Sequence, residues 1–497
     1  MRLVDVIDSN AAPYAALSYS WGDAVTTKTT CRNLTDMKRQ ITMSSLQATT
    51  VDAVTLTREL GLRYLWVDAL CIVQDSAQDW ETESAKMASI YANAVITIAS
   101  VSSKSAGVPF LRHENSKEAT EHHQRLFSQT VQTPTGPTVI KARLVQQSGI
   151  HWRWRSDSDE RAPKEPWAQR GWTLQEQILS SRLLMISSTE MQWVCKQAEA
   201  CECLSTLNRG RQFGHTPLAQ LTDMGETFRF WHKLLETYSN RTLTEGRDKL
   251  PAISGIAELV QRKTNSRYVA GLWENNIHLD LLWHKTGDTT TALGSDPQAP
   301  SFSWASVDGE VDYYCFRNGR LPYRPCIKVL SMEARSSTQA PLGRVTGGSL
   351  TLSGPLVSGR ITKYSGSGWA ELTIANQVLE FIPDSHLGYV LRDFVDKTER
   401  VACRRLRGQQ GVEPMQAQES DPGSISAFSP GIICWLLKLG QFEASRCEDE
   451  EWAAEIMVLG MAVSEPGCYQ RLGMMSGINA ELDSLFGERN NPIVKIV

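Results

Sequence analysis

Long apolar runs are missing from this 497-residue sequence: no stretch approaches the roughly 18 consecutive apolar residues that indicate a membrane-spanning helix. Residues 1–21 also lack the basic segment, followed by an apolar one, that is typical of a secretory signal. We therefore expect a cytoplasmic protein, with no membrane among its partners.

Basic clusters are missing too. The formal net charge is -4, with 51 Lys and Arg against 55 Asp and Glu, and no segment concentrates positive charge. Nucleic-acid-binding proteins usually carry a basic face that meets the phosphate backbone. The sequence therefore argues against nucleic acid as a partner, and it leaves an unknown protein or a small-molecule ligand.

Several motifs that carry enzyme chemistry are absent. The sequence contains no GxGxxG, GxxxxGK[ST], GxSxG or HExxH, so dinucleotide-binding, P-loop, serine esterase and zinc protease chemistry have no local support. Among the 11 cysteines, Cys195, Cys201 and Cys203 lie close together, but no CxxC pair or suitably spaced His completes a zinc signature. We expect reduced, structural cysteines, and we assign neither a metal nor a cofactor.

Apolar strands and amphipathic helices alternate along the first 100 residues. The elements predicted are a strand at 14–19, a helix from Thr49 or Thr50 to just before Gly61, a strand within 63–73, a helix opened by a capping box at Ser76 and Asp79, and a strand at 95–101. This order is typical of an α/β fold, and it predicts a mostly parallel sheet with flanking helices.

The chain is long enough for more than one domain, and its 41% apolar and 21% charged residues are ordinary for globular proteins. We expect the α/β domain to cover residues 1–205, with a polar insertion or long loop at about 113–166. Helical patterns follow at 206–290. From 291 to 497, short apolar runs alternate with Gly, Pro and Ser turns, which favours an antiparallel β domain.

Three segments together resemble one known family: YAALSYSWG at 14–22, LRYLWVDALCIVQDSAQDWETESAKMASIYANAVITIAS at 62–100, and RGWTLQEQILSSRLL at 170–184. They are similar to the sequence blocks of the fungal heterokaryon-incompatibility (HET) domain. One departure is QWVC at 192–195, where the family usually has an acidic residue before the cysteine.

The resemblance implies a role in incompatibility reactions, in which fusion of unlike fungal cells triggers death of the fused compartment. It also implies a TIR- or flavodoxin-like fold for the domain. Some TIR proteins cleave NAD with a catalytic glutamate, but a shared fold does not by itself carry a shared activity.

Asp68 is the first catalytic candidate, because it lies near the carboxyl end of an inner strand, where open α/β sheets place their ligand crevice. Its alternative role is to cap the following turn. Cys71 is a weaker candidate, since a nucleophilic thiol needs a base and a small core residue explains the position as well.

Glu83 and Glu176 are the other acidic candidates. Glu83 borders the apolar face of its predicted helix, so it needs a partner such as Arg170 or has its pKa raised by burial. Glu176 also fits a capping box with Thr173, in which it would accept from the Thr173 backbone N–H.

Ligand-binding candidates surround the same segments. Arg170, Trp172 and Gln175 lie at a predicted helix entrance, where N–H groups and the helix dipole favour an anion. Arg170 could equally pair with Asp68 or Glu83. Trp21, Trp66 and Gln74 are candidates for lining a cleft, although aromatic residues mostly build the core.

Three hypotheses about function follow. The first is a HET-type regulator or effector of incompatibility and programmed cell death. The second is an enzyme built on the same fold, either a small-molecule enzyme of secondary metabolism or a TIR-like NAD glycohydrolase that stabilises an oxocarbenium ion with a carboxylate. The third is a pure interaction module.

Overall fold

A computed structural model describes most of the chain. The described residues are 1–6, 12–22, 27–111, 126–134, 136–143, 165–187, 191–201, 204–208, 217–286, 299–313, 322–338, 340–364, 369–375, 377–384, 426–443, 452–462, 464–478, 484–486 and 491–497. The chain forms two compact units, which we call unit 1 and unit 2. Unit 1 comprises Met1–Asp223, Arg241–Leu243 and Pro251–Leu259, and unit 2 comprises Met224–Asn240, Thr244–Leu250 and Val260–Val497. The boundaries predicted at 205 and 290 stay predictions.

Unit 1 is built on a seven-stranded sheet. Its strands are β1 (Tyr14–Ser18), β2 (Tyr64–Trp66), β3 (Ile96–Ser100), β6 (Arg182–Ile186), β7 (Met191–Cys195), β8 (Glu199–Cys201) and β9 (Leu204–Asn208), and a separate hairpin holds β4 (Leu126–Thr133) and β5 (Gly136–Arg143). The strand order is β2-β1-β3-β6-β7-β8-β9. Strands β2, β1, β3 and β6 are parallel, whereas β7, β8 and β9 add antiparallel neighbours.

The predicted α/β class is therefore confirmed, but the sheet is mixed rather than mostly parallel. The antiparallel half arises because β6 to β9 are joined by short connections, whereas parallel neighbours need a long crossover such as a helix. The hairpin β4–β5 lies inside the predicted polar insertion, so that part of it is not a loop. Residues 113–125, 135 and 144–164 of the insertion lie outside the described residues.

Two of the helices in unit 1 match the helices predicted before Gly61 and after Ser76, whereas a short helix at Asp68–Cys71 lies inside the segment 63–73, for which a strand is predicted. Unit 1 contains α1 (Leu34–Arg39), α2 (Ala48–Glu59), α3 (Asp68–Cys71), α4 (Ala77–Asn93), α5 (Gly171–Leu179) and α6 (Pro217–Gln220). Ser76 caps α4, because its hydroxyl accepts from the backbone N–H of Asp79 at 3.2 Å. Helix α2 ends before Gly61, whose φ of +73° places it in the left-handed region. Both predicted helix ends are thus confirmed.

The inner strands bury both faces. On one face Leu17 and Ile98 pack with Ala53 of α2, and on the other Ala99 and Leu183 pack with Trp167. This two-sided burial explains why β1 and β3 are almost continuously apolar, since a parallel strand covered on both faces does not alternate. A polar side chain on such a strand must find its partner inside the protein.

Unit 2 combines helices with strands. Its elements are α7 (Met224–Ser239), the last part of α8 (Ser254–Thr264), α9 (Ile277–Asp280), β10 (Tyr268–Val269), β11 (Leu272–Trp273), β12 (His284–Lys285), β13 (Val311–Asp312), β14 (Tyr323–Pro325), β15 (Lys328–Ser336), β16 (Val345–Ser353), β17 (Leu356–Tyr364), β18 (Ala370–Ile374), β19 (Gln377–Pro383), β20 (Ser426–Glu443), β21 (Trp452–Met461), β22 (Tyr469–Ile478) and β23 (Ile493–Ile496).

Strands β14 to β23 form one ten-stranded sheet, in which nearly all neighbours are antiparallel. Six of them close on themselves in the order β20, β17, β18, β19, β22 and β21. Ile361, Leu372, Leu436 and Ile456 are fully buried in the core of this ring. The predicted antiparallel β region is therefore confirmed. Within the described part of the chain, no helix is both long and apolar enough to cross a membrane.

Candidate functional site

Asp68 lies two residues after the carboxyl end of β2 and is the first residue of α3. Its carboxylate accepts from the Trp21 indole N–H at 2.8 Å and from the Ala69 backbone N–H at 2.7 Å. Burial raises the pKa of Asp68, while the Ala69 N–H, the Trp21 indole, the Tyr19 hydroxyl and the charge of Arg170 oppose that rise. The side chain keeps part of its surface exposed. Asp68 therefore caps a turn and remains reachable from solvent.

Glu176 is buried on α5 and faces the end of β1. The Ser18 hydroxyl donates to the Glu176 carboxyl, and the Trp167 indole N–H donates to the Ser18 hydroxyl at 2.6 Å. Burial raises the pKa of Glu176 to about 7, although the Ser18 and Tyr91 hydroxyls stabilise the ionised form. A carboxyl with this pKa is available both as an acid and as a base near neutral pH.

The capping-box interpretation of Glu176 is wrong. Helix α5 begins at Gly171 and has Arg170 at its N-cap, so Thr173 already lies inside the first turn. The Thr173 hydroxyl is 2.6 Å from the carbonyl oxygen of Trp167 and turns back toward the preceding segment. Glu176 is thereby free of the helix end, and its side chain extends to the sheet.

Asp68, Glu176 and Arg170 influence one another electrostatically. The negative charge of Asp68 raises the pKa of Glu176, and the positive charge of Arg170 lowers the pKa of both carboxyls. Arg170 is half-buried, and its guanidinium forms no ion pair or hydrogen bond with any described residue. A guanidinium that lies beside a helix N-terminus and is available to a ligand can bind an anionic group.

Glu83 and Cys71 do not join this set in the way the sequence suggests. Glu83 forms an ion pair with Lys86, one turn further along α4, at 2.8 Å, rather than with Arg170. Burial raises the pKa of the Cys71 thiol to about 11, and its sulfur accepts from the Val67 N–H at 3.5 Å. A thiol that stays protonated at neutral pH is a poor nucleophile.

Two of the candidate tryptophans pack against a second aromatic ring. The Trp66 ring contacts the Tyr91 ring edge-on at 5.5 Å, and the Tyr91 hydroxyl interacts with Glu176. The Trp172 ring contacts the Trp80 ring in the same manner at 6.4 Å. Trp21 acts through its indole N–H on Asp68. Trp21 and Trp66 thus lie beside the carboxyls, directly or through Tyr91, whereas Trp172 packs against Trp80.

The two glutamines hold backbone segments. Gln74 donates from its amide to the carbonyl oxygens of Asp68 and Ile72 at 3.1 and 3.0 Å, and so it fixes the short helix α3. Gln175 is fully buried, and its side-chain oxygen accepts from the Gly255 N–H at 2.7 Å. Neither geometry exposes the amide as a recognition group, so both act on the shape of the site.

Sequence reasoning missed Ser18, Tyr19, Tyr91 and Trp167 as members of the site. Ser18 carried a usable signal, because a polar residue on a strand buried on both faces needs an internal partner. Further hydroxyls lie buried at or just beyond the carboxyl ends of β1 and β3 and have no hydrogen-bond partner within the described residues: Ser20, Ser100 and Ser103. This end of the sheet therefore has a polar interior.

Neither a metal-ligand cluster nor a cavity points to a second location for the predicted site residues within the described part of the chain. No group of three or more His, Cys, Asp and Glu side chains in the described residues could hold a metal ion. Of the clustered cysteines, Cys195 lies partly exposed on β7, and Cys203 lies outside the described residues. A cavity of about 410 Å³ in unit 2 is lined by β10, β15 and β16 residues and contains none of the predicted site residues.

The geometry of unit 1 defines an α/β protein whose candidate groups lie at the carboxyl ends of parallel strands. Residues 14–176 match the family model described as "Heterokaryon incompatibility protein (HET)". This match supports a heterokaryon-incompatibility domain over residues 14–176, about a third of the chain. No curated protein and no solved structure matches the chain. The matched segment contains Trp21, Asp68, Arg170 and Glu176 together.

Proposed function

We propose that this chain is a cytoplasmic HET-type regulator or effector of incompatibility and cell death, and that it acts through the Asp68–Glu176 site of unit 1. The observation that carries the proposal is the coupling of these two carboxyls with Arg170 inside the matched segment 14–176. A segment that served only the fold would not need two carboxyls with raised pKa values within electrostatic reach of the Arg170 guanidinium.

We also propose the TIR- and flavodoxin-like relationship for unit 1. Its four parallel strands have the order β2-β1-β3-β6, which corresponds to the first four positions of the doubly wound order 2-1-3-4-5. In that architecture the ligand lies outside the carboxyl ends of the strands, next to the point where the order reverses between β1 and β3. Ser20 lies two residues after the end of β1, Ser100 is the last residue of β3, and Asp68 lies two residues after the end of the neighbouring strand β2. The hydroxyls of Ser20 and Ser100 have no hydrogen-bond partner within the described residues.

An induction experiment tests the cellular role. The wild-type chain, Asp68→Asn, Glu176→Gln and the control Glu59→Gln, at an exposed position on α2, are each expressed from an inducible promoter in a fungal host. We expect growth arrest with the wild type and the control, and normal growth with the two site variants at equal protein levels. Normal growth with the wild type would contradict the cell-death role, and killing by both site variants would favour an interaction module.

Hydrolysis of an N-glycosidic bond is a second candidate activity, favoured by the unequal environments of the two carboxyls. Donors from Trp21, Ala69 and Tyr19 stabilise the Asp68 anion, which suits it to an oxocarbenium ion. Glu176, with a pKa of about 7, suits the removal of a proton from the attacking water. The products from NAD would be nicotinamide, ADP-ribose and a proton.

Nicotinamide release measures this activity directly. Purified wild-type chain is incubated with NAD, and nicotinamide is quantified by chromatography beside Glu176→Gln and Glu59→Gln. We expect release from the wild type and the control and a loss of at least about 100-fold in Glu176→Gln, because a general base contributes about that much or more. If the wild-type chain arrests growth in the induction experiment but the purified protein releases no nicotinamide, NAD cleavage is ruled out and the proposed cellular role stands.

A further inference from the structure

Unit 2 contains a second set of chemically capable side chains, on β12, β21 and β22. Ser476 and Glu455 lie opposite each other on the adjacent antiparallel strands β22 and β21, so their side chains share one face. The Ser476 hydroxyl donates to the Glu455 carboxyl at 2.6 Å, and its oxygen is 3.2 Å from Nε2 of His284. The three residues therefore form one continuous hydrogen-bonded set.

Burial determines the protonation of this set. Burial, together with the charge of Arg471, lowers the pKa of His284 to about 4, so the imidazole is neutral at physiological pH. Burial raises the pKa of Glu455 to about 7, although the Ser476 hydroxyl opposes the rise. With its proton on Nε2, His284 donates to Ser476, and Ser476 donates to the Glu455 carboxylate. All the hydrogen bonds then run in one direction, toward the base.

A neighbouring charged pair holds these groups in place. The Arg471 guanidinium, on the same strand as Ser476, donates to Asp384 at 2.7 Å and to the carbonyl oxygen of Leu281 at 2.9 Å. It also stacks on the Trp283 ring at 3.4 Å. Because Trp283 directly precedes His284 and Leu281 lies three positions before it, these contacts tie the chain next to His284 to Arg471 on β22. Residues locked by such neighbours give a site its geometry.

We propose that Ser476 is a nucleophile toward carboxylic esters and related acyl or phosphonyl electrophiles, with Glu455 as its base and His284 as a positioning residue. Ser476 is the partly exposed member of the set, whereas Glu455 and His284 are buried. A nucleophile within hydrogen-bond distance of a base, and accessible while the base is buried, is the arrangement that covalent catalysis requires.

The reaction balances with water as the only other reactant. The Ser476 oxygen attacks the ester carbonyl carbon, its proton passes to the Glu455 carboxylate, and the departing alkoxide takes that proton and leaves as the alcohol. Water then attacks the acyl-serine carbonyl carbon and gives its proton to Glu455. The Ser476 oxygen leaves, recovers the proton, and a carboxylic acid is released.

Covalent labelling of the full chain tests the proposal. A small alkyl fluorophosphonate forms a bond from its phosphorus to the attacking serine oxygen and releases fluoride, and peptide mass spectrometry locates the adduct. We expect the adduct on Ser476, with a labelling rate that rises through about pH 7 as Glu455 ionises. Glu455→Gln should label at least about tenfold more slowly, without that pH dependence.

Two further variants separate activation from folding. Ser331→Ala, at an exposed position on β15, should label at the wild-type rate. His284→Asn should label more slowly while the midpoint of the pH profile stays near that of Glu455, because positioning is lost and the base remains. Absence of a Ser476 adduct on the folded wild type would overturn the proposal, as would labelling of a folded Glu455→Gln at the wild-type rate.

Discussion

The Ser18 hydroxyl donates a hydrogen bond to the Glu176 carboxyl, which lies 158 positions later in the chain. This bond joins the end of β1 to the middle of α5, and the Trp167 indole completes the set from the other side of the serine. A carboxyl held in this way is fixed in position but poorly hydrated, which is why its pKa rises to about 7. The protonation of Glu176 therefore affects both the stability of unit 1 and the chemistry that its carboxyl can perform.

Glu176→Gln should change how the stability of the chain depends on pH. The folded-state pKa of about 7 exceeds the ordinary value of 4.5, so the folded chain binds the proton more tightly than the unfolded chain does. The stabilisation from the protonated carboxyl is full below about pH 4.5 and is lost as the pH rises through about 7. Glutamine resembles the protonated form and should remove this loss, which amounts to at most about 3 kcal/mol.

The measurement is the difference in melting temperature between Glu176→Gln and the wild type, taken at several pH values. We expect it to grow in favour of the variant from about pH 4.5 to pH 7 and then to remain constant. Glu455 titrates in the same range but is present in both proteins, so its contribution cancels. Glu59→Gln should follow the wild-type curve. A constant difference across the range would contradict the buried, proton-binding state of Glu176.

Ser18→Ala should destabilise unit 1 by about 1–3 kcal/mol, because the Trp167 indole and the Glu176 carboxyl both lose a buried partner. Denaturant unfolding followed by tryptophan fluorescence measures the change, and Ser44→Ala at an exposed position is the control. The cost should be smaller in a Glu176→Ala background, because that change already removes the acceptor of the shared hydrogen bond. Additive effects in the double variant would argue against the bond.

The sequence is sufficient to predict the inner strands and the main helices of unit 1. Strands β1 and β3 are apolar on both faces, and α4 begins at a serine cap that the sequence shows directly. These features are local, and local signals are what a single sequence carries. The position of Asp68 at a strand end follows from the same kind of signal.

The partners of Glu176 and Glu83 could not be predicted in this way. Thr173 and Glu176 have capping-box spacing, but the chain from Pro166 turns directly into α5, so the helix starts at Gly171 instead. Which carboxyl meets which donor then depends on packing between segments that are distant in sequence. The same reason explains why residues 241–243 and 251–259 belong to unit 1, which no local pattern indicates.

Gly255→Ala should lower the stability of unit 1, because this glycine lies directly against helix α4. A β-carbon at Gly255 would meet the β-carbon of Ala88 at less than a normal contact distance and would be 3.0 Å from the Gln175 side-chain oxygen. Overpacking of this kind usually costs about 1–3 kcal/mol. Thermal unfolding of the variant measures the loss.

The compensating change Ala88→Gly tests whether this contact is the cause. In the double variant the added methyl group occupies the space that the alanine leaves, so part of the stability should return. Recovery should be incomplete, because glycine inside a helix is about 1 kcal/mol less favourable than alanine. A double variant that is no more stable than Gly255→Ala would contradict the predicted contact.

Cys195 should react with iodoacetamide faster than Cys71, although both thiols are partly exposed. Partial burial raises the pKa of Cys195, but hydrogen bonds from the Gln197 and Ala198 backbone together have a larger opposite effect. The pKa of this thiol is therefore below its ordinary value of 9.0. Burial raises the pKa of Cys71 to about 11. The thiolate fraction of Cys195 then exceeds that of Cys71 by at least about 100-fold. The Cys71 thiolate is more basic and hence more nucleophilic, which offsets about half of this difference on a logarithmic scale. The folded chain is alkylated at about neutral pH, and the products are quantified by peptide mass spectrometry. We expect Cys195 to react about tenfold faster than Cys71, or more. Equal rates would mean that Cys71 is ionised, which would restore it as a candidate nucleophile beside Asp68.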